Sequence, residues 1–109
     1  MEQSSEKSLN FEPPTDLPRL TRRRSDSSKY DYGRVVIVAG SRGMAGAAAL
    51  SSMAALRSGA GLVEVIVPES IQPTVAGFDP CVMTHSLPED SEGRLALSAL
   101  TQIHERCTR

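Results

Sequence analysis

The chain has 109 residues and a formal net charge of −1. This length suits one small domain, and the charge gives no electrostatic reason to bind nucleic acid or an anionic membrane. No apolar run approaches the roughly 20 residues that cross a bilayer, and no secretory signal is recognisable. Cys81 and Cys107 lie far apart, and no two histidines are close together. We therefore expect reduced thiols, a cytoplasmic protein and no metal site.

Residues 1–28 are predicted to form a disordered or extended tail. Polar residues dominate this stretch, and Pro13, Pro14 and Pro18 interrupt any regular structure. The basic cluster at residues 22–24 is better explained as a solvated charge run than as a phosphate site. The predicted folded part is residues 29–109.

The central feature is a strand, a glycine-rich turn and a helix. The apolar, mostly β-branched residues before Gly40 predict a buried strand over residues 34–39. Alanine, leucine and methionine then predict a helix over residues 45–58, which ends at Gly59 and Gly61.

This turn is a candidate ligand site, because the first turn of a helix leaves backbone N–H groups unpaired. Gly40, Ser41 and Gly43 are the candidate turn or anion contacts, and Gly46 and Ala47 leave room for a flat ring or a sugar. The spacing fits neither a P-loop nor the Gly-x-Gly-x-x-Gly dinucleotide fingerprint. On spacing alone, the glycines are explained equally well by the geometry of a strand-to-helix turn and by a ligand site.

A second strand is predicted over residues 62–67, stopped by Pro68. Because short links join strand, helix and strand, the pattern predicts a βαβ unit with parallel strands in an α/β fold. Beyond it we predict a short helix over residues 69–75, with Pro73 awkward inside it, and a third strand over residues 81–85.

The remainder is predicted as a polar loop over residues 88–93 and a helix over residues 95–107. His85 is interpreted as a surface or core-edge residue, and no catalytic pair of side chains can be argued from spacing.

Two motifs carry a resemblance to a known family. They are Val-Val-Ile-Val-Ala-Gly-Ser-x-Gly-Met-x-Gly-Ala-Ala at residues 35–48 and Ala-Ala-Leu-Arg-Ser-Gly-Ala-Gly-Leu-Val at residues 54–63. Together they closely resemble the opening of the NAD(P)H-hydrate dehydratases, and the similarity extends over about residues 29–100.

The resemblance implies a partial ribokinase-like three-layer fold. It implies ADP- or ATP-dependent dehydration of the S epimer of NAD(P)HX, a hydrated and damaged nicotinamide cofactor. Mg²⁺ accompanies the nucleotide, and the full-length family member is expected to be a homo-oligomer. The same resemblance places Ala47, with Gly46 beside it, in the NAD(P)HX site.

The chain departs from the family pattern in two places. Ser28-Lys29-Tyr30 stands where relatives often carry His-Lys-Gly, and the Gly-Thr-Gly-Asp motif with the catalytic aspartate is absent. We therefore expect the catalytic residue beyond Arg109 and interpret the chain as an incomplete, inactive fragment. A non-catalytic nucleotide-binding α/β module and an inactive remnant remain as alternatives.

Overall fold

The computed structural model describes residues 11–109. Its three strands are β1 (Arg34–Val38), β2 (Leu62–Pro68) and β3 (Met83–Leu87). Its three α-helices are α1 (Ala45–Arg57), α2 (Gln72–Ala76) and α3 (Leu100–Cys107). Short 3₁₀ turns span Lys29–Tyr32, Glu69–Ile71 and Leu97–Ala99.

The strands form one parallel sheet in the order β1-β2-β3. Arg34 pairs with Leu62, and Glu64 pairs with Met83. The predicted α/β class and the parallel βαβ unit are therefore confirmed, with α1 as the crossover between β1 and β2.

Alternate residues of β2 face opposite sides of the sheet, and each side is covered. Val65 and Val67 pack with Ala48 of α1 and Val75 of α2 on one side. On the other side, Ile66 packs with Leu87 of β3 and with Ala99, which directly precedes α3. Because β2 is covered on both faces, it reads in the sequence as an almost continuous apolar run.

The third strand lies two residues later than predicted. The Asp79 carboxylate accepts a hydrogen bond from the Cys81 N–H at 2.8 Å, and the Asp79 carbonyl accepts one from the Val82 N–H. This turn occupies residues 79–82, so the strand begins only at Met83. It continues to Leu87 because that side chain is buried against Ile66.

The last predicted helix was too long. Glu89 and Leu95 pair in an isolated antiparallel bridge, and the Ala96 N–H donates to the Pro88 carbonyl at 2.9 Å. Residues 88–96 are thus a closed loop. The α-helix begins only at Leu100, after the 3₁₀ turn.

The expectation that Pro73 would disturb a helix was also wrong. Pro73 lies at the beginning of α2. No intrahelical partner is needed for the backbone N–H at that position, so proline is tolerated there.

Part of the predicted tail, residues 1–10, lies outside the described residues. Residues 11–28 contain no helix or strand. They nevertheless contact the folded part, because Arg23 donates to the Gly59 carbonyl at 3.2 Å and its guanidinium lies 4.1 Å from the centre of the Tyr32 ring. No helix within residues 11–109 is long and apolar enough to cross a bilayer.

Candidate functional site

The glycine-rich turn, residues 39–44, joins the carboxyl end of β1 to α1 and is called the glycine turn below. Gly40 and Gly43 both have positive φ angles, of 87° and 82°. A Cβ on Gly40 would lie 2.8 Å from the Ile71 Cδ1 and 3.3 Å from the Ala48 Cβ. Gly40 is therefore required by tight packing under the turn, whereas a Cβ on Gly43 would meet no atom within 4 Å.

The first turn of α1 is open to solvent. Met44 is the N-cap, and no side chain within residues 11–109 caps the helix. Gly46 and Ala47 follow in the first turn, and both are exposed. A Cβ built on Gly46 meets no heavy atom within 4 Å. The backbone N–H groups here can donate hydrogen bonds to a polar or anionic group at the positive end of the helix dipole.

Ser41, one of the candidate turn or anion contacts, does not cap the helix with its side chain. Its carbonyl instead accepts a hydrogen bond from the Met44 N–H at 2.8 Å. This backbone bond closes the turn and directs the chain into α1.

Three segments converge at this edge of the sheet, the glycine turn and two others, each following the carboxyl end of a strand. The 3₁₀ turn after β2 is tied to the loop after β3, because the Ser70 hydroxyl donates to the Glu89 carboxylate at 2.8 Å. The loop after β3 reaches the glycine turn, because the Arg42 N–H donates to the Gly93 carbonyl at 2.9 Å. Ligands of open α/β sheets bind outside this edge of the sheet.

Asp90 fixes the shape of the loop after β3. Its carboxylate accepts hydrogen bonds from the backbone N–H groups of Arg94 and Glu92 and pairs with the Arg94 guanidinium at 2.9 Å. The Arg94 N–H contributes most to lowering the pKa of Asp90 below its usual value. The carboxylate is therefore ionised at neutral pH and keeps its acceptor role.

The sequence model of the NAD(P)H-hydrate dehydratase family matches residues 35–104. This range covers both the open helix terminus and the three converging segments. The chain belongs to the NAD(P)H-hydrate dehydratase family.

Curated relatives agree with this assignment. The chain is 44% identical over 88 residues to the bifunctional NAD(P)H-hydrate repair enzyme of Moorella thermoacetica, covering 81% of this chain and 17% of that protein. It is 47% identical over 73 residues to the enzyme of the same name from Escherichia coli, covering 66% and 14%. The chain thus spans less than a fifth of the length of these relatives.

A solved structure supports the same fold. A ribokinase-like superfamily protein from Enterococcus faecalis superposes with a TM-score of 0.55 and 38% identity, covering 61% of this chain and 23% of that one. The three parallel strands and their helices are therefore part of a ribokinase-like fold, as the resemblance implied.

The chain also holds a charged cluster that the sequence analysis missed. Glu64, which is 5% exposed, is bonded by the Arg34 guanidinium, by His85 at 2.9 Å and by Arg106 at 3.4 Å. Arg34 opens β1, whereas the glycine turn follows its other end. This cluster therefore stabilises the opposite end of the sheet, and His85 is a core-edge residue as predicted.

Proposed function

We propose that this chain supplies part of the NAD(P)HX site of an ADP- or ATP-dependent dehydratase domain. The observation that carries the proposal is the uncapped first turn of α1, with Gly46 and Ala47 exposed directly after the glycine turn. The family membership and the names of the relatives supply the substrate class.

The proposed reaction restores a damaged cofactor. Phosphorylation by ADP or ATP turns the added hydroxyl of NAD(P)HX into a leaving group, and its elimination regenerates NAD(P)H. In this scheme the small residues of α1 bind and orient the substrate. The chemistry of transfer needs a catalytic aspartate, which the resemblance places in a Gly-Thr-Gly-Asp motif absent from these 109 residues.

Mg²⁺ accompanies the nucleotide in the proposed reaction, as the resemblance implies. Residues 11–109 contain no group of three histidine, cysteine, aspartate or glutamate side chains that could hold a metal. We therefore assign no step of metal chemistry to them. A cytoplasmic location and a homo-oligomeric full-length protein are further parts of the proposal.

The test is Ala47→Leu in a full-length repair enzyme into which residues 29–109 of this chain have been introduced. The larger side chain stands on the exposed first turn, so it should exclude substrate while leaving the packed face of α1 intact. We expect kcat/KM for NADPHX to fall by roughly tenfold or more, equal to about 1.4 kcal/mol of transition-state binding. Turnover is followed by the return of NADPH absorbance.

Ala54→Leu is the matched control, because Ala54 is exposed on the same helix about two turns further on. It should keep the kcat/KM of the parent. Equal activity of both variants would place the substrate site elsewhere and would favour a purely structural role for α1.

The 109 residues alone are expected to show no ADP- or ATP-dependent regeneration of NADPH, because they lack the groups that hold and transfer a phosphoryl group. The measurement is NADPH absorbance with NADPHX, ATP and Mg²⁺ present. A thermal scan with NADPHX, AMP and ATP distinguishes the alternatives, since a ligand of the folded state raises the unfolding midpoint. Regeneration of NADPH by the purified chain would contradict this assignment of roles.

A further inference from the structure

The loop after β3, residues 88–96, has a shape of its own. The Asp90 N–H donates to the Arg94 carbonyl at 2.8 Å, and the Gly93 N–H donates to the Asp90 carbonyl at 3.2 Å. The Asp90 carboxylate adds its bonds to Glu92 and Arg94. The loop is therefore ordered by internal contacts that need no ligand.

This loop packs directly on the glycine turn at Gly93. Gly93 is buried and has a φ of 75°. A Cβ built there would lie 2.4 Å from the Arg42 Cβ and 2.9 Å from the Arg42 Nε. The Arg42 guanidinium also reaches the Ser91 carbonyl at 3.5 Å. The side chain of Arg42 thus lies across the loop, at a contact that only glycine accommodates.

The glycine turn has few bonds of its own. Its backbone bonds to partners outside regular elements are Met44 to Ser41, within the turn, and Arg42 to Gly93. Two of its residues are glycines, which lose the most conformational freedom on ordering. The order of the turn therefore depends on the loop after β3.

We propose that Gly93 is a positioning residue, which lets the loop after β3 hold the glycine turn in one conformation through Arg42. The ligand that this turn binds is taken from the proposed function, and on that point the inference rests on it. A turn fixed in advance removes the ordering cost from substrate binding, which is the physical basis of preorganisation. Gly93 itself would touch no reacting atom.

Two substitutions in the 109-residue chain test this inference. Gly93→Ala adds a methyl group where Arg42 lies. Asp90→Ala loosens the loop without touching the turn. Both should speed hydrogen exchange of the Arg42 and Met44 amides by roughly tenfold, because local opening sets exchange in such segments.

Each variant has a matched control. The control for Gly93→Ala is Gly77→Ala, which also adds a methyl group but at ordinary contact distances, the nearest atom being 3.5 Å away. Glu92→Ala removes an exposed carboxylate whose side chain pairs only with Arg94 among the described residues. Neither control should change exchange in the turn. The urea midpoint of Asp90→Ala should stay near that of the parent chain, which separates positioning from global stability.

Unchanged exchange at Arg42 and Met44 in Asp90→Ala overturns the inference, even if Gly93→Ala fails to fold. A titration with NADPHX, followed by protection of the same amides, tests the proposed function separately. Two results together would uphold the positioning role and reject the substrate assignment. These are faster amide exchange in the two variants and no protection of the same amides by NADPHX in the parent chain.

Discussion

Replacing Gly61 with alanine is expected to cost about 3 kcal/mol or more of folding free energy, the upper range for overpacking a core. A Cβ at this position would lie 1.6 Å from the Lys29 carbonyl oxygen and 2.6 Å from its carbon. These are backbone atoms, so no side-chain rotation relieves the clash. The 3₁₀ turn at Lys29–Tyr32 would have to move away from the beginning of β2.

The same movement would break neighbouring hydrogen bonds. The N–H groups of Gly61 and Leu62 both donate to the Gly33 carbonyl, at 3.0 and 3.1 Å. Urea unfolding of Gly61→Ala should therefore show a midpoint far below that of the parent. Gly46→Ala is the control, since its methyl meets open space and alanine favours a helix by up to about 1 kcal/mol. If Gly61→Ala has the same urea midpoint as the parent, the close approach of the Lys29 backbone to residue 61 does not contribute to stability.

The second large effect concerns the carboxylate of Glu64. Glu64→Gln removes the negative charge that faces Arg34, His85 and Arg106. We expect a loss of about 2 kcal/mol at neutral pH, less than the roughly 3–5 kcal/mol for a fully buried pair. The expected loss is smaller because the side chains of Arg34 and Arg106 are 28% and 30% exposed.

This effect should depend on pH. Burial raises the pKa of Glu64, but the hydrogen bonds and charges of Arg34 and His85 outweigh it, so the pKa lies below its ordinary value. A group whose pKa falls on folding stabilises the protein above its unfolded pKa, and the contribution disappears as pH falls through the folded value. The difference between parent and Glu64→Gln should therefore be full at pH 7 and shrink below about pH 4.5.

Urea unfolding at a series of pH values measures this dependence. Glu92→Gln is the control, because among residues 11–109 that carboxylate forms only an exposed pair with Arg94, of the kind that contributes about 0–1 kcal/mol. The role given to the cluster would be contradicted if parent and Glu64→Gln had the same free energy of unfolding at pH 7. It would also be contradicted if the difference between their free energies stayed constant down to pH 3.

The elements that the sequence predicted well are those whose signals are local. The β-branched run, the alanine-rich segment and the glycines at residues 59 and 61 placed β1, α1 and β2 within one residue of their ends. The open first turn of α1 follows from the same signals, because no capping side chain precedes Ala45.

The elements that were misplaced depend on contacts across the chain or on one side chain. The turn made by Asp79 delays β3, and the bridge between Glu89 and Leu95 prevents a helix there. The Glu64 cluster could not be predicted because its partners come from β1, β3 and α3. The register of the sheet and the position of α3 beside it bring them together. A lone glutamate within an apolar strand was the available signal.

The order of the sheet has a consequence for biosynthesis. Each strand pairs with its successor, β1 with β2 and β2 with β3, and the paired residues are separated by fewer than 30 positions in the chain. Closing such short loops costs little entropy, and this cost grows only slowly with length. β2 and β3 can therefore each pair with the strand made before them, in the N-to-C direction in which domains fold during synthesis.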